Sequence, residues 1–247
     1  MTDNLRGLLH QHFDVRCEID NDPELVHESL KLRYQVYCLE RGFENPDEHP
    51  EHEERDPYDD RALHSLLIHR ASGLAAGTVR LILPDQRQPI GSLPIDRLCQ
   101  EPDLYDQALL PRANLAEVSR FAISKAFRRR VGDVATPTGV GTVWTEPVKI
   151  DRRVLPHLSL GLIHALVRVS VLSGITHWVA EMEPALLRML AILGVHWTDL
   201  GPSVNFHGKR QPCHTELRTM LARVPDERPD IWDVLTDLGR YLPEASV

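Results

Sequence analysis

The alternation of hydrophobic and polar residues is clearest between residues 115 and 123. Its period of two is that of a β-strand in the middle of a sheet, yet this strand carries a carboxylate, Glu117, and a guanidinium, Arg120. The strand leads into a group of cations followed by a glycine: Arg128, Arg129, Arg130 and Gly132. Glycine lets backbone N–H groups approach a ligand closely, so the segment indicates a phosphate site. The alternative is an internal Glu–Arg pair followed by a solvated arginine cluster.

The same patterns predict the remaining elements. Strands are expected at 13–19, 62–70, 75–83 and 175–181 and from residue 195 onward, with a hairpin joining 62–70 to 75–83. Helices are expected at 23–41, 104–109, 157–173, 184–193, 214–223 and 229–241. The first helix has Asp22 as its cap, Pro23 at its first position and Gly42 behind its end. This order predicts an α/β (α+β) fold in which helices flank a mixed sheet.

Length and charge limit the class of protein. A chain of 247 residues with 42% hydrophobic content predicts one domain over 1–247, with a helical extension from about residue 214. The net charge of −8 argues against nucleic acid as a partner. Nine carboxylates and one arginine lie in residues 44–60, a proline-containing stretch that we expect to be an exposed loop. His49 and His52 lie among these acids, but without a rigid frame we predict no metal site.

The sequence also predicts a compartment. The four cysteines are far apart, and the first residues lack a basic region followed by an apolar stretch. Polar residues interrupt the longest apolar segment, residues 158–172, which is too short to span a bilayer. We therefore expect a reduced, cytoplasmic protein without a transmembrane segment. Residues 133–156 are rich in Gly, Pro and Thr, which predicts a long loop.

Four groups of residues occur in an order that resembles a known family. They are Arg33 with Tyr37 and Phe43; Glu54, Asp56 and Asp59 in ERDPYDD; Arg80 in GTVRLILP; and Glu117, Ser119 and Arg120 in EVSRFAI. Together they resemble the acyl-homoserine-lactone (autoinducer) synthases and the long-chain N-acyl amino acid synthases of the GNAT acyltransferase superfamily. That fold implies a mostly antiparallel central sheet between helices, in a three-layer sandwich.

The resemblance implies a role for each group. Glu117, Asp56, Asp59 and Glu54 are the implied catalytic residues, and Arg33, Arg80, Ser119 and Arg120 the implied substrate-binding residues around the acceptor amine. The acyl donor is expected at the turn after the central strand, at Phe121, Arg128, Arg129, Arg130 and Gly132. From the residue types, Arg33, Arg80 and Arg120 either bind an acceptor carboxylate or neutralise the acids.

The resemblance also implies a reaction. We expect an N-acyltransferase that moves a long-chain acyl group from an acyl carrier protein or CoA thioester to the amine of an amino acid or related small molecule, with no tightly bound cofactor and with acyl carrier protein as the favoured partner. Phe43 replaces a Trp typical of autoinducer synthases, so the pattern is closer to the acyltransferases of exosortase systems. The alternatives are an autoinducer synthase, an acetyltransferase that uses acetyl-CoA, and a non-catalytic acyl-ligand sensor.

The chemistry is consistent with direct attack of the amine on the thioester. An α-amino group has a pKa near ~7.7–8.0, so one carboxylate is a sufficient base, and Glu117 is the first candidate and Asp56 the second. In a regular strand Glu117 and Arg120 point to opposite faces, although the proposed cluster needs both near one cleft. We therefore predict a β-bulge around residues 118–120, which also frees a backbone N–H for the thioester oxygen.

Overall fold

The computed structural model describes residues 5–19, 22–127, 158–206 and 208–243. Within these ranges there are eight strands: β1 (Phe13–Cys17), β2 (Ala62–His69), β3 (Ala75–Ile82), β4 (Leu115–Ile123), β5 (His177–Met182), β6 (Thr198–Asp199), β7 (Val204–Asn205) and β8 (Lys209–Glu216). The α-helices are α1 (Leu5–His12), α2 (Pro23–Arg33), α3 (Ile95–Leu98), α4 (Leu158–Leu172), α5 (Pro184–Ile192), α6 (Leu217–Glu227) and α7 (Pro229–Thr236). The predicted mixed fold is confirmed.

The strands form an open sheet in the order β1-β2-β3-β4-β5-β8-β6, with β7 paired to β8. All described pairs are antiparallel except β4 with β5, which are parallel. This parallel ladder joins Leu115, Ala116 and Glu117 to residues 177–179 and stops there, whereas β4 continues to Ile123. The two central strands therefore separate beyond Glu117 and leave a gap in the middle of the sheet.

Helix α4 forms the centre of the main core. Eleven of its fifteen residues are buried, because its apolar residues surround the helix on nearly all sides. It packs against β1, β2, β3 and α7, and Gly174 follows its end with a φ of +68°. The predicted helix at 157–173 is thus confirmed for its described residues. None of the described helices has the length and apolar character needed to cross a bilayer.

Helix α2 begins as its sequence predicts and then changes pitch. The Asp22 side chain accepts a hydrogen bond from the Leu25 N–H at 3.1 Å, and Pro23 occupies the first turn. From Tyr34 to Glu40 the chain continues as a π-helix, which the spacing of apolar residues did not indicate. Gly42 then takes a φ of +63° and ends the segment as predicted.

Two predicted helices are wrong in position. Residues 104–109 do not form a helix; the 84–114 region instead contains α3 and a short 3₁₀ turn at Pro102–Tyr105, and segments this short show no helical period. The helix expected from His214 begins at Leu217, because residues 213–216 still belong to β8. Cys213 and Thr215 are buried on that strand, opposite β5.

The C-terminal helices are part of the main core. Helix α6 buries Leu217, Leu221 and Val224, and α7 buries Ile231 and Leu235. These residues belong to the same hydrophobic cluster as α4 and the sheet. The long loop predicted at 133–156 lies outside the described residues.

Candidate active site

A cleft of about 400 Å³ opens where β4 and β5 separate. Part of its lining is polar or charged: Asp56, Arg80, Glu117, Ser119, Arg120 and Glu181. Another part is apolar: Ile123, Ile163, Met182, Leu186, Met189 and Leu190. The cleft therefore offers ionisable groups for chemistry and an apolar wall for a hydrocarbon chain.

A bulge is present on β4 as predicted, but it lies at residues 120–121, slightly beyond the predicted position around residues 118–120. Thr78 pairs with Ala122 and Arg80 with Ser119, so Arg120 and Phe121 together face the single residue Val79. Arg120 has a φ of +51°, in the left-handed region that non-glycine residues seldom adopt. The extra residue brings Glu117, Ser119 and Arg120 to the same cleft, and Phe121 also lines it.

Arg33 holds two buried carboxylates. Its Nε donates to Glu54 at 2.6 Å, and its Nη1 and Nη2 donate to Asp59 at 2.6 and 3.2 Å. All three side chains are at most 2% exposed. His64, also buried, lies 3.5 Å from Asp59, and burial together with Arg33 lowers its pKa to about 4, which keeps the ring neutral. Arg33, Glu54 and Asp59 thus form the centre of a buried ion cluster beneath the cleft.

Arg80 connects this cluster to the cleft. It donates to both oxygens of Asp56 at 2.9 and 2.6 Å, and it also contacts Asp59. Its Nε donates to Ser119 Oγ at 2.9 Å, which ties the guanidinium to β4. Asp56 is 20% exposed and lines the cleft, whereas Asp59 is inaccessible.

Arg120 joins the ion cluster on the side that faces the cleft. It donates twice to Glu54 at 2.9 Å and lies 3.4 Å from both Asp56 and Glu44. Its guanidinium carbon lies 5.2 Å from the centroid of the Tyr37 ring, within range for a cation–π contact. The prediction that Arg120 reaches the acidic residues is confirmed. Glu44, from the loop that we expected to be exposed, also takes part.

The carboxyl groups of the site differ in the direction in which their pKa values are shifted. Burial alone would raise the pKa of Glu54, but Arg33 and Arg120 outweigh it and lower the pKa to about 2. Arg33 and Arg80 likewise lower the pKa of Asp59 against the effect of burial. Arg33, Glu54 and Asp59 are absent from the cleft lining. The structure thus places three residues that the sequence assigned to catalysis or acceptor binding behind the cleft wall.

Glu117 is the carboxyl with the opposite character. It lines the cleft at 3% exposure, and its Oε2 accepts a hydrogen bond from the Ile95 N–H at 2.9 Å. Burial raises the pKa of Glu117 well above its ordinary value, and the neighbouring Glu181 adds to the increase. A carboxyl with a raised pKa in a cleft is a candidate for proton transfer near neutral pH.

Sequence reasoning missed five charged residues of the cleft: Arg41, Glu44, Glu181, Glu183 and Arg210. Glu181 lies on β5, and burial raises its pKa also. Arg210 on β8 pairs with Glu183 at 2.8 Å. A Glu inside the mostly apolar strand HWVAEM was the available signal for Glu181, whereas nothing in the sequence placed Arg210 near it. Arg128, Arg129, Arg130 and Gly132, the predicted donor site, lie outside the described residues.

Comparison with known proteins agrees with this fold and site. Residues 32–136 match the acetyltransferase (GNAT) domain family, a range that contains the ion cluster, the bulge and Glu117. The chain therefore contains a GNAT domain, and the predicted superfamily is confirmed. Fold and site define an acyltransferase of the GNAT type. No curated protein matches the sequence at a significant level.

Solved structures resemble most of the chain. TofI, crystallised with an inhibitor and MTA, is 22% identical, with a TM-score of 0.57 over 89% of this chain and 99% of its own. BjaI, a CoA-dependent acyl-homoserine lactone synthase with SAM and isopentyl-CoA, is 17% identical, with a TM-score of 0.54 over 94% and 90%. FeeM, an N-acyl amino acid synthase from uncultured soil microbes, is 13% identical, with a TM-score of 0.50 over 87% and 97%. At these identities the likeness establishes the fold.

Proposed function

We propose that this protein is an N-acyltransferase that moves a long-chain acyl group from a thioester to the amine of an amino acid or related small molecule. The observation that carries the proposal is one cleft with two kinds of lining. Glu117 offers a buried carboxyl with a raised pKa, and the nearby apolar wall from α4, β5 and α5 suits a hydrocarbon chain. BjaI is an acyl-homoserine lactone synthase and FeeM an N-acyl amino acid synthase, and both of these structurally similar proteins transfer acyl groups, which agrees with this choice.

The proposed reaction is a direct attack. The amine nitrogen forms a bond to the thioester carbonyl carbon and loses a proton to Glu117. The carbonyl oxygen becomes an oxyanion, and its collapse breaks the C–S bond, which releases an amide and a thiolate. The thiolate then takes up one proton to become the thiol, and Glu117 gives up the proton that it took from the amine. The bulge at Arg120 and Phe121 supports this step because it leaves backbone groups outside the regular ladder, where an N–H can donate to the oxyanion. No covalent enzyme intermediate is needed.

The ion cluster is proposed to position the acceptor. Arg120 is 21% exposed and is the most accessible arginine of the cluster, so we assign it to the acceptor carboxylate. Ser119 and Asp56 are assigned to the same acceptor region, and Asp56 is the second candidate base. Arg33, Glu54 and Asp59 hold Arg80 and Arg120 in place and are assigned as positioning residues. This division replaces the direct roles that the sequence implied for those three.

The donor is proposed to be acyl carrier protein, with CoA as the alternative. This choice depends on the sequence resemblance and on the cations Arg128, Arg129 and Arg130, which suit the acidic surface of a carrier protein or the phosphates of CoA. Charge reversal of Arg129 and Arg130 should weaken carrier-protein binding and reduce its salt dependence. A link to exosortase systems and a cytoplasmic location stay predictions.

A donor and acceptor screen tests the proposal. Acyl carrier protein and CoA thioesters of increasing chain length are incubated with amino acids, other small amines and SAM, and products are identified by mass spectrometry. We expect N-acyl amino acids with long-chain donors and loss of product in Glu117→Gln. An acyl-homoserine lactone from SAM would instead identify an autoinducer synthase, and transfer from acetyl-CoA alone an acetyltransferase. Binding of acyl thioester without any product would identify a sensor.

A further inference from the structure

Glu181 is a second carboxyl that faces the cleft from the strand beside Glu117. In the parallel ladder Glu117 pairs with Val179, and Glu181 lies two residues beyond Val179 on β5. Side chains alternate along a strand, so Val179 and Glu181 share a face, and parallel partners such as Glu117 and Val179 point to the same side. The two carboxyls therefore stand on opposite edges of the gap where β4 and β5 separate.

The hydrogen bonds of the two carboxyls differ. Glu117 accepts the Ile95 N–H, and a donor of this kind favours the ionised form. Oε1 of Glu181 is buried and has no hydrogen-bond partner among the described residues. A buried carboxylate oxygen without a donor is costly, whereas a protonated carboxyl can itself donate to a ligand. Hydrogen bonding thus favours a carboxylate at Glu117 and a proton on Glu181, whereas burial acts in the other direction and raises the pKa of Glu117 to about 8, above the pKa of Glu181 at about 7. The two pKa values are close enough for the single proton of the pair to occupy either carboxyl, and the reactive form is the one with the proton on Glu181.

Charged groups from several elements face the pair. Burial is the largest effect and raises the pKa of both carboxyls; Asp96 on α3 adds to the increase for Glu117. Arg80 on β3 lowers the pKa of Glu117, and Arg210 on β8 lowers that of Glu181. Apart from two tyrosines, the other ionisable groups along the cleft are Arg41, Glu44, Asp56, Arg120 and Glu183. Two like charges close together resist simultaneous ionisation, so the pair retains one proton.

We propose, on the basis of the proposed acyl transfer, that Glu181 is the general acid that protonates the leaving thiolate. As the amine nitrogen bonds to the carbonyl carbon, Glu117 takes the amine proton. When the C–S bond breaks, its electron pair stays on sulfur, and sulfur receives the proton of Glu181. The proton on Glu117 then returns to Glu181 through solvent. The sum is amine plus thioester giving amide plus thiol, with both carboxyls restored.

The first test varies the leaving group. Wild type, Glu181→Gln and Glu117→Gln are assayed with a pantetheine thioester and a thiophenol thioester of the same acyl group. A thiophenol leaves without a proton, so Glu181→Gln should lose about 10²-fold or more in kcat on the pantetheine ester and be close to wild type on the aryl ester. Glu117→Gln should be slow on both. Equal effects of Glu181→Gln on the two esters, or none on either, overturn the assignment.

Matched variants separate chemistry from structure. Glu181→Asp keeps a carboxyl group and should recover part of the pantetheine-ester activity that Glu181→Gln loses. If Glu181 only filled space, the shorter Asp side chain would not restore activity. Glu28→Gln changes an exposed carboxyl on α2 and should leave both rates unchanged. Thermal unfolding of each variant confirms that it is folded.

A second test needs no substrate. Isotope-edited infrared or carbon NMR titration of the free protein reports the pKa of Glu181, which should fall in Glu117→Gln because the negative charge of the Glu117 carboxylate is removed. An unchanged pKa overturns the coupling of the two carboxyls. If wild type transfers no acyl group in any assay, the proposed function and the general-acid role are both wrong, and this titration still decides whether the two carboxyls are coupled.

Discussion

Arg120 and Glu54 are joined by two parallel hydrogen bonds of 2.9 Å, from Nε to Oε2 and from Nη2 to Oε1. This bidentate pair connects the bulge of β4 to the acidic loop. Arg120 makes the pair from a left-handed backbone conformation. Arg120 therefore has both an unfavourable backbone conformation and a stabilising ion pair. Different substitutions at this position can measure the two effects on stability separately.

Arg120→Ala removes the ion pair and keeps the unfavourable φ, whereas Arg120→Gly removes both. We expect Arg120→Gly to be the more stable variant by about 1 kcal/mol in urea unfolding, because left-handed backbone is costly for residues with a Cβ. At Ser119, where φ is not positive, Ser119→Ala should instead be more stable than Ser119→Gly. A less stable glycine variant at 120 would show that the bulge is not strained.

Arg33→Ala should strongly destabilise the protein. It leaves Glu54 and Asp59 buried without their principal partner, and breaking a buried ion pair costs about 3–5 kcal/mol. Lys31→Ala, in the same helix, removes only an exposed pair with Glu28 and should change the free energy of unfolding by about 0.5 kcal/mol or less. Similar losses in both variants, measured by urea unfolding, would contradict the importance of the buried cluster.

Glu117→Gln should lose activity and gain stability at high pH. Turnover should fall about 10²- to 10⁴-fold because the base is removed, although the Gln oxygen can still accept the Ile95 N–H. The folded protein binds the Glu117 proton more tightly than the unfolded chain, so this group lowers stability as pH rises above its ordinary pKa of 4.5. The gain in melting temperature for Glu117→Gln should therefore increase from acid to alkaline pH. A constant difference would indicate that the pKa of Glu117 is not raised.

Asp56→Asn should reduce turnover at least about 10-fold, because it weakens the contacts that fix Arg80 at the cleft. The double variant Glu48→Gln/Glu51→Gln changes two exposed acids of the same loop and should retain wild-type turnover. Steady-state rates on one donor and acceptor pair make the comparison. Equal losses would mean that the whole loop acts through its charge and that Asp56 has no special position.

Leu186→Trp should shift the donor preference to shorter acyl chains. Leu186 on α5 lines the apolar part of the cleft, and a larger side chain there takes up space for the chain. Ile192→Trp lies on the same helix at a 73% exposed position and should leave the preference unchanged. The ratio of kcat/KM for long and short donors is the measurement. An unchanged ratio in Leu186→Trp would place the acyl chain elsewhere.

Local patterns predicted the fold well where one face of an element is buried. The β2–β3 hairpin, the start of α2 at Asp22 and the bulge on β4 depend on alternation, capping or family spacing, all visible in short stretches of sequence. The π-helix after Tyr34 was not visible, because its pitch depends on how the segment packs. The boundary between β8 and α6 was misplaced for a similar reason: pairing with β5 extends the strand to Glu216.

The sequence predicted which residues form the candidate site, but not which of them are buried and which line the cleft. The sequence grouped Arg33, Glu54 and Asp59 with Arg120 and Glu117, and the structure brings the first four into one cluster. Which of them contact the cleft depends on burial, which spacing along the chain does not give. Glu181 was missed because its proximity to Glu117 arises from the pairing of two strands that are about sixty residues apart in sequence.

The short β4–β5 ladder has a mechanical consequence. Among the described strands, only three residue pairs connect the half of the sheet made of β1 to β4 with the half made of β5, β8 and β6. These pairs lie at one end of the gap, so a rotation about them would displace a residue more the further it lies from the ladder. A small rotation at Ala116 therefore changes the width of the gap little at Glu117 and much more at Ile123. Substrates of different thickness would therefore be accommodated at the Ile123 end of the gap, far from Glu117.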